Sequence, residues 1–329
     1  MQFTRLTGLD AEVSRIAFGC MSTVESQTYS GLEREQAERT IRTAFGAGIN
    51  FFDTARAYAD GESERQLGAA LAGVRERVVI ASKPMPGDLS SAEIARECEE
   101  SLRNLGTDYI DLYQIHWPRR IVPLEETARA MEDLVKAGKV RSLGVCNFGP
   151  LDLSEWLGFA SCATDQVAYS LLSRGVEHEL LPIFEQRGVG ILCYSPLAQG
   201  LLAGRYASAD EVPSGKARTR HFAGSREEAR HGEPGCEEET FAAIARVNDV
   251  AASLEQPPAR VALAWLLTRP AVAAVLVGAS RPEQVERNVA AADLTLPDAA
   301  IHELDAATAG VKQAMGPSID VWAVPPRTR

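Results

Sequence analysis

The chain lacks the marks of several protein classes. None of its six cysteines (Cys20, Cys98, Cys146, Cys162, Cys193 and Cys236) sits in a Cys-x-x-Cys or at zinc-ligand spacing from a histidine. Scattered thiols of this kind read as reduced side chains of a cytoplasmic protein, and no metal site is expected. No apolar run is longer than Ala271–Val277, far short of the roughly 20 residues of a membrane span. The opening Met-Gln-Phe-Thr-Arg-Leu-Thr-Gly-Leu-Asp has no basic-then-apolar pattern of a signal peptide. Positive charge is in deficit, 34 Lys and Arg against 45 Asp and Glu, which speaks against a nucleic-acid or anionic-membrane surface. Solenoid repeats and low-complexity tracts are missing too. So is a Gly-rich phosphate turn after the first strand. The nearest Gly-x-Gly, Gly46-Ala47-Gly48, follows a helix and precedes a strand, so it reads as a helix stop.

What remains is an alternation of short apolar runs and helical patterns. Residues 2–7 and 11–15 read as a hairpin around Gly8-Leu9-Asp10. Strands are expected at Ile16–Phe18, Phe51–Asp53, Val78–Ser82, Ile110–Ile115, Val140–Val145, Thr164–Val167, Gly190–Tyr194 and Val272–Val277. Helices are expected between them, among them Arg34–Ala47, Glu62–Leu71, Ser91–Leu105, Leu124–Ala137, Asp152–Phe159, Glu179–Arg187, Glu238–Leu254, Pro258–Thr268 and Pro282–Ala292. A last helix, Asp298–Thr308, precedes a Pro-rich tail at about 316–329. Eight such units with right-handed crossovers close as a (β/α)₈ TIM barrel, here with an N-terminal β-hairpin and an extra C-terminal helix. All 329 residues then form one domain. The irregular stretch at about 200–237 follows the seventh strand and has the length of a binding loop or a solvated insertion.

Four residues at the ends of successive strands carry the chemistry. They are Asp53, Tyr58, Lys83 and His116, in Asn50-Phe51-Phe52-Asp53-Thr54-Ala55-Arg56-Ala57-Tyr58, Ile80-Ala81-Ser82-Lys83 and Gln114-Ile115-His116-Trp117. Barrel enzymes draw catalytic groups from the C-terminal ends of several strands. A free phenol ionises near pH ~10, and a neighbouring ammonium favours its ionised form. Lys83 would supply that charge, Asp53 would hold Lys83, and Tyr58 would act as general acid toward a carbonyl oxygen that His116 orients. No side chain here can supply a hydride, so a cofactor must.

These segments resemble the aldo-keto reductase superfamily, in its bacterial NADP-linked form, near the branch of the potassium-channel β-subunits. Further matches are Gly61-Glu62-Ser63-Glu64 and Gly138-Lys139-Val140-Arg141-Ser142-Leu143-Gly144-Val145-Cys146-Asn147-Phe148. The resemblance runs from Phe3 to about Val324. It implies a catalytic tetrad of Asp53, Tyr58, Lys83 and His116, with Tyr58, His116 and Trp117 toward substrate. It implies an NADP(H) site, with NAD(H) as the alternative. The nicotinamide end would meet Gly19, Cys20, Met21, Asp53, Cys146, Asn147, Gln166 and Tyr194. The pyrophosphate would meet Ser195, Pro196, Leu197, Gln199, Gly200, Leu202 and Arg205. The adenosine end would meet Gly278, Ser280, Arg281, Gln284, Arg287 and Asn288, with Ser280, Arg281 and Gln284 toward a 2′-phosphate.

Cys146 departs from the serine of many relatives, and Arg281 replaces their lysine as the charge of the adenosine segment. Substrate-pocket residues are expected at Gly19-Cys20-Met21 and Trp117, with the loops Thr23–Tyr29 and His221–Glu233, and Arg218, Arg220 and His221 would meet a polar or anionic substrate. The implied activity is NAD(P)H-dependent reduction of aldehydes or ketones, reversible toward alcohol oxidation. A cofactor-sensing regulatory subunit and a Schiff-base enzyme built on Lys83 are the competing readings. Whether the chain forms a homo-oligomer stays open.

Overall fold

The structure is a computed structural model that describes residues 1–25, 31–324 and 326–329. A hairpin, β1 (Phe3–Arg5) and β2 (Glu12–Ser14), precedes the first barrel strand, β3 (Ile16–Gly19). Then come α1 (Arg34–Gly46), β4 (Phe51–Asp53), α2 (Glu62–Ala70), β5 (Val79–Ser82), α3 (Ser91–Leu105), β6 (Ile110–Ile115) and α4 (Leu124–Lys136). Next are β7 (Val140–Cys146), α5 (Pro150–Trp156), β8 (Thr164–Ala168), α6 (Val176–Arg187) and β9 (Gly190–Tyr194). The chain closes with α7 (Glu237–Ser253), α8 (Pro258–Leu267), β10 (Val272–Val277), α9 (Pro282–Val289), α10 (Asp298–Ala307) and α11 (Ala309–Met315). Strands β3 to β10 pair in parallel and in sequence, and β10 returns to β3 to close the barrel.

The two-residue period of a strand sorts each side chain inward or outward. Outward residues such as Phe52, Ile80, Tyr113 and Cys193 join the apolar layer under the helices. Inward residues divide by height. Ala17, Phe51, Val79, Leu112, Leu192 and Ala274 form a separate apolar cluster with Leu6, Leu9 and Val13 of the hairpin, which plugs the N-terminal end of the barrel. Asp53, Lys83, Gln114, Gln166 and Tyr194 stand two residues or more further along the same inward rows. The barrel is therefore apolar at its floor and polar toward the C-terminal mouth.

The expected strands are present within a residue or two at each end. Two helical expectations change. The expected helix Pro282–Ala292 gives way after Val289 to a 3₁₀ turn, Ala290–Asp293. Helix α11 was not expected. Its Gly310 weakens the local signal, and it forms because Val311 and Met315, one turn apart, are both buried. The stretch at 200–237 is packed rather than solvated, with Val212, Ala217, Phe222 and Cys236 in the core.

Helices α2 and α3 approach closely at Gly68. A methyl group there would run into the carbonyl oxygen of Leu105. Gly68→Ala is therefore expected to lower stability by about 2 kcal/mol despite the better helix propensity of alanine. Urea unfolding checks this: the midpoint should fall while the slope stays constant, and an unchanged midpoint would show that α2 and α3 separate freely.

Candidate active site

Each tetrad residue owes its place to a strand end and a tied loop. Asp53 ends β4, and Lys83 is the first residue past β5. The Thr54 amide donates to Ala81 O at 2.9 Å and the Arg56 amide to Lys83 O at 3.0 Å, so the loop carrying Tyr58 is stitched to β5. Ala59, Asp60 and Gly61 all adopt left-handed φ (48°, 52° and 79°), a costly turn for the first two that directs the chain from Tyr58 into α2. The Glu62-Ser63-Glu64 motif anchors that turn. Ser82 Oγ donates to Glu64 Oε1 at 2.6 Å, and Thr54 Oγ1 donates to Ser63 Oγ at 2.8 Å.

Lys83 is fully buried and Asp53 is 3% exposed. Lys83 Nζ donates to Asp53 Oδ1 at 2.7 Å and to Thr54 O at 2.9 Å, and stands 5.2 Å from the centre of the Tyr58 ring. The other carboxylate oxygen, Asp53 Oδ2, accepts from Gln166 Nε2 at 2.8 Å and Gln114 Nε2 at 3.1 Å. The Tyr58 and His116 rings meet edge to face at 5.8 Å. The structure thus brings all four expected catalytic residues together.

Electrostatics refine their roles. Burial pushes the Tyr58 phenol up to about 12, opposed by the Lys83 ammonium and reinforced by Asp53. The expected net lowering by Lys83 is therefore corrected: desolvation outweighs it here, and Tyr58 is a protonated acid at neutral pH. Burial lowers the charge on Lys83 less than Asp53 and Tyr58 hold it, so its pKa is raised. Burial, with Lys83 and Arg327 adding, pulls His116 down to about 3, which keeps its imidazole neutral. His116 Nδ1 is buried and has no hydrogen-bond partner among the described residues.

The other expected contact residues follow the strand ends around the mouth. Asn147, at a left-handed φ of 61°, donates from Nδ2 to His116 O at 3.2 Å and accepts from Tyr194 OH at 2.9 Å. Cys146 is buried beside Lys83 and Asp53, and burial raises its thiol well above the usual range. Ser195, Ala198 and Gln199 take left-handed φ values of 49°, 46° and 57° after β9. Leu202 is in the core, so it shapes that loop rather than facing a ligand. After β10, Gln284 Oε1 accepts from Ser280 N at 2.8 Å, Ser280 Oγ at 3.2 Å and Arg281 N at 3.3 Å. Gln284 thus spends its carbonyl on the turn, and the exposed Arg281 carries the charge. Arg287 is exposed and donates to Glu283 O on its own helix.

Strand β9 pairs with both β8 and β10, and β10 pairs with β3, so these segments are neighbours on one rim. They run from the tetrad outward past Gln166, Asn147, Tyr194, Ser195–Arg205 and Gly278–Asn288. Amide groups lie at the inner end, a strained loop in the middle, whose buried Gln199 Oε1, an acceptor, has no partner among the described residues, and a guanidinium at the outer end. That donor set fits a dinucleotide.

Two substrate expectations are overturned. Arg220 pairs with Glu233 at 2.7 Å and donates to Met315 O at 3.1 Å, while the ring nitrogens of His221 meet Thr219 Oγ1 at 3.0 Å and Leu172 O at 2.9 Å. Both bind the loop to the tail and the barrel and have no polar atoms to spare for a substrate. Arg218 instead stacks on Trp322 at 5.2 Å. Of the expected loop Thr23–Tyr29, Ser26 to Tyr29 lie outside the described residues.

The sequence reading missed three residues. Trp322 Nε1 donates to Tyr194 OH at 3.2 Å, and Arg327 stacks on Trp117 at 3.5 Å while paired twice to the buried Asp320 at 2.8 Å. No local signal placed the tail over the mouth. Gln114 had one, a lone amide in the apolar strand Ile110–Ile115.

The profile of the Aldo/keto reductase family matches residues 15–309. The chain belongs to that family. An NADH-specific methylglyoxal reductase of Escherichia coli is 33% identical over 88% of this chain and 93% of its own. The glycerol dehydrogenase structure from Gluconobacter oxydans superposes with a TM-score of 0.81 at 30% identity, covering 93% of this chain and 95% of that one. An aldo/keto reductase from Klebsiella pneumoniae, solved with NADP and acetate, gives 0.73 at 32% identity, covering 92% and 94%. As a family member, this aldo/keto reductase is an NAD(P)H-dependent oxidoreductase of carbonyl compounds. No helix among its described residues is long and apolar enough to cross a membrane.

Two stability predictions follow from the buried pair and the neutral imidazole. Asp53→Asn leaves a buried ammonium without its counter-ion and should cost about 3 kcal/mol at pH 7, much of it recovered in Asp53→Asn/Lys83→Met. Urea unfolding of the single and double variants decides this, and a single variant as stable as the parent would contradict it. Because the Lys83 pKa is raised, the pair's contribution is complete below about pH 10.5 and is lost as pH rises through the folded value. His116 has the opposite form. Its folded pKa of about 3 lies below the unfolded ~6.5, so stability falls as pH drops through that window. His116→Gln should flatten that acid slope in pH-dependent thermal melts.

Proposed function

We propose that Tyr58, Lys83, Asp53 and His116 form the catalytic tetrad of a cytoplasmic carbonyl reductase that prefers NADPH, carried by a single barrel domain. The observation that supports it is the buried Lys83–Asp53 pair, at 2.7 Å, set beneath the phenol of Tyr58 and next to a neutral histidine. A bound nicotinamide would supply the hydride that no side chain in the site can provide. Tyr58 delivers the proton to the carbonyl oxygen. Lys83 stabilises the phenolate left behind, and Asp53 holds Lys83 in place and keeps it charged. His116, neutral at physiological pH, donates a hydrogen bond that orients the oxygen. In the oxidative direction Tyr58 must first lose its proton, and Lys83 makes that attainable despite burial.

The residues that would hold the cofactor are Asn147 and Gln166 at the carboxamide, Tyr194 against the ring, Ser195–Arg205 along the pyrophosphate, and Ser280, Arg281 and Asn288 at the adenosine. Trp117, Trp322 and Arg327 wall the mouth with aromatic faces and charge, which suits small polar aldehydes and ketones. The names of the relatives, a methylglyoxal reductase and a glycerol dehydrogenase, point to the same size of substrate.

Tyr58→Phe is expected to abolish turnover in both directions while nicotinamide fluorescence still reports cofactor binding. Full activity in that variant would sink the assignment. Arg281→Ala should weaken NADPH about tenfold and leave NADH unchanged, the size of one lost charge-assisted contact. Equal losses for both cofactors would remove Arg281 from any role in telling them apart.

A further inference from the structure

We infer that Gln114 is a positioning residue of the reaction, the donor that fixes the Asp53 carboxylate from β6, the strand next to the one that leads into Lys83. The inference rests on the tetrad reading above. Asp53 Oδ2 receives two amide groups, Gln166 Nε2 and Gln114 Nε2. A carboxylate paired with an ammonium only accepts, so both glutamines must turn their nitrogens toward it. Gln166 is also a proposed ligand of the cofactor carboxamide, so its amide serves two partners. Gln114 has no such second claim. It is fully buried, two residues above the apolar floor residue Leu112 and two below His116, and its Oε1 accepts from Thr164 Oγ1 at 3.5 Å.

The neighbouring strand leaves room for this arrangement. A methyl group on Gly144 of β7 would lie 2.6 Å from Thr164 Oγ1 and 3.1 Å from Gln114 Cγ. A side chain at Gly144 would thus displace the amide from Asp53. An apolar residue of similar volume would fill the position of Gln114 as well as glutamine does. Burying an amide there is costly unless it is bonded, and its bond is to Asp53.

The consequence reaches Tyr58 through charge. The groups facing the phenol are Lys83 from the end of β5, Asp53 from β4, His116 from the end of β6 and the Cys146 thiol from β7, while Cys20 stands near Asp53 from the end of β3. Lys83 favours the phenolate, and Asp53 opposes it. Gln114 offsets part of the Asp53 charge. Without it the phenolate is harder to form, and alcohol oxidation, which needs the phenolate, requires a higher pH.

The test uses Gln114→Met, which keeps volume and removes the donor. The pH dependence of kcat for oxidation of a small polyol should move upward by about one unit, about a tenfold loss on its rising limb, consistent with one hydrogen bond to a charged group. Cofactor affinity by fluorescence and the thermal midpoint should stay near the parent values. A coincident pH profile with a lower kcat or midpoint would overturn the proposal and leave Gln114 a packing residue. A second readout needs no turnover. In cofactor-free protein with ¹⁵N-glutamine, the Gln114 side-chain amide signal, identified by its loss in the Met variant or in Gln114→Glu if that variant fails to fold, should move in Asp53→Asn. An immobile signal would overturn the proposal equally. A parent enzyme that binds cofactor yet turns over nothing would instead count against the tetrad reading, and the amide signal would still decide the role of Gln114.

Discussion

The site depends on one interaction, the ion pair between Lys83 and Asp53 inside a closed barrel. Two charges out of water are costly unless each is fully partnered. Here each charge has further partners: Thr54 O for the ammonium, and two glutamine amides for the second carboxylate oxygen. Three further strands, β6, β7 and β8, must then be in register for the pair to exist. Gln114 and Gln166 come from β6 and β8, and Gly144 of β7 keeps clear between them. The catalytic layer is thus a test of the barrel's own assembly.

The barrel separates two solvents along one axis. The hairpin residues Leu6, Leu9 and Val13 seal the floor with Phe51, Leu112 and Leu192. One layer above, the same inward rows carry Asp53, Gln114, Lys83 and Gln166. A dry floor directly beneath a charged layer lowers the local dielectric and strengthens each contact of the pair. It also explains the state of the Tyr58 phenol. Burial alone would drive Tyr58 too far from ionisation to work in reverse, and the ammonium recovers part of that cost.

The mouth is made by segments remote in sequence. Trp322 and Arg327 come from the tail, and they reach Tyr194 and Trp117 because Arg220 ties the long loop to the same tail through Met315 O and Asp320 O. Arg220, which reads as a substrate contact, is in fact a fastening of that cover. Its charge is used internally, paired with Glu233. What remains toward the opening is aromatic surface with guanidinium groups stacked on it.

The sequence by itself determined the barrel and the placement of Asp53, Tyr58, Lys83 and His116 at its strand ends. Each strand has the same short apolar signature ended by a turn, and an alternation with a two-residue period fixes which side chains face inward. Asp53, Tyr58, Lys83 and His116 were legible because reactive side chains at strand ends stand out against apolar runs. Tertiary structure alone decided the rest. Gln114 was invisible as a partner of Asp53, since 61 residues of chain separate them and only the pairing of both strands with β5 brings β6 to β4. The balance of burial against charge at Tyr58 was likewise out of reach, because desolvation depends on every neighbour at once. The tail over the mouth and helix α11 were hidden for a related reason: neither has a strong local propensity, and each is held by contacts with distant parts of the fold.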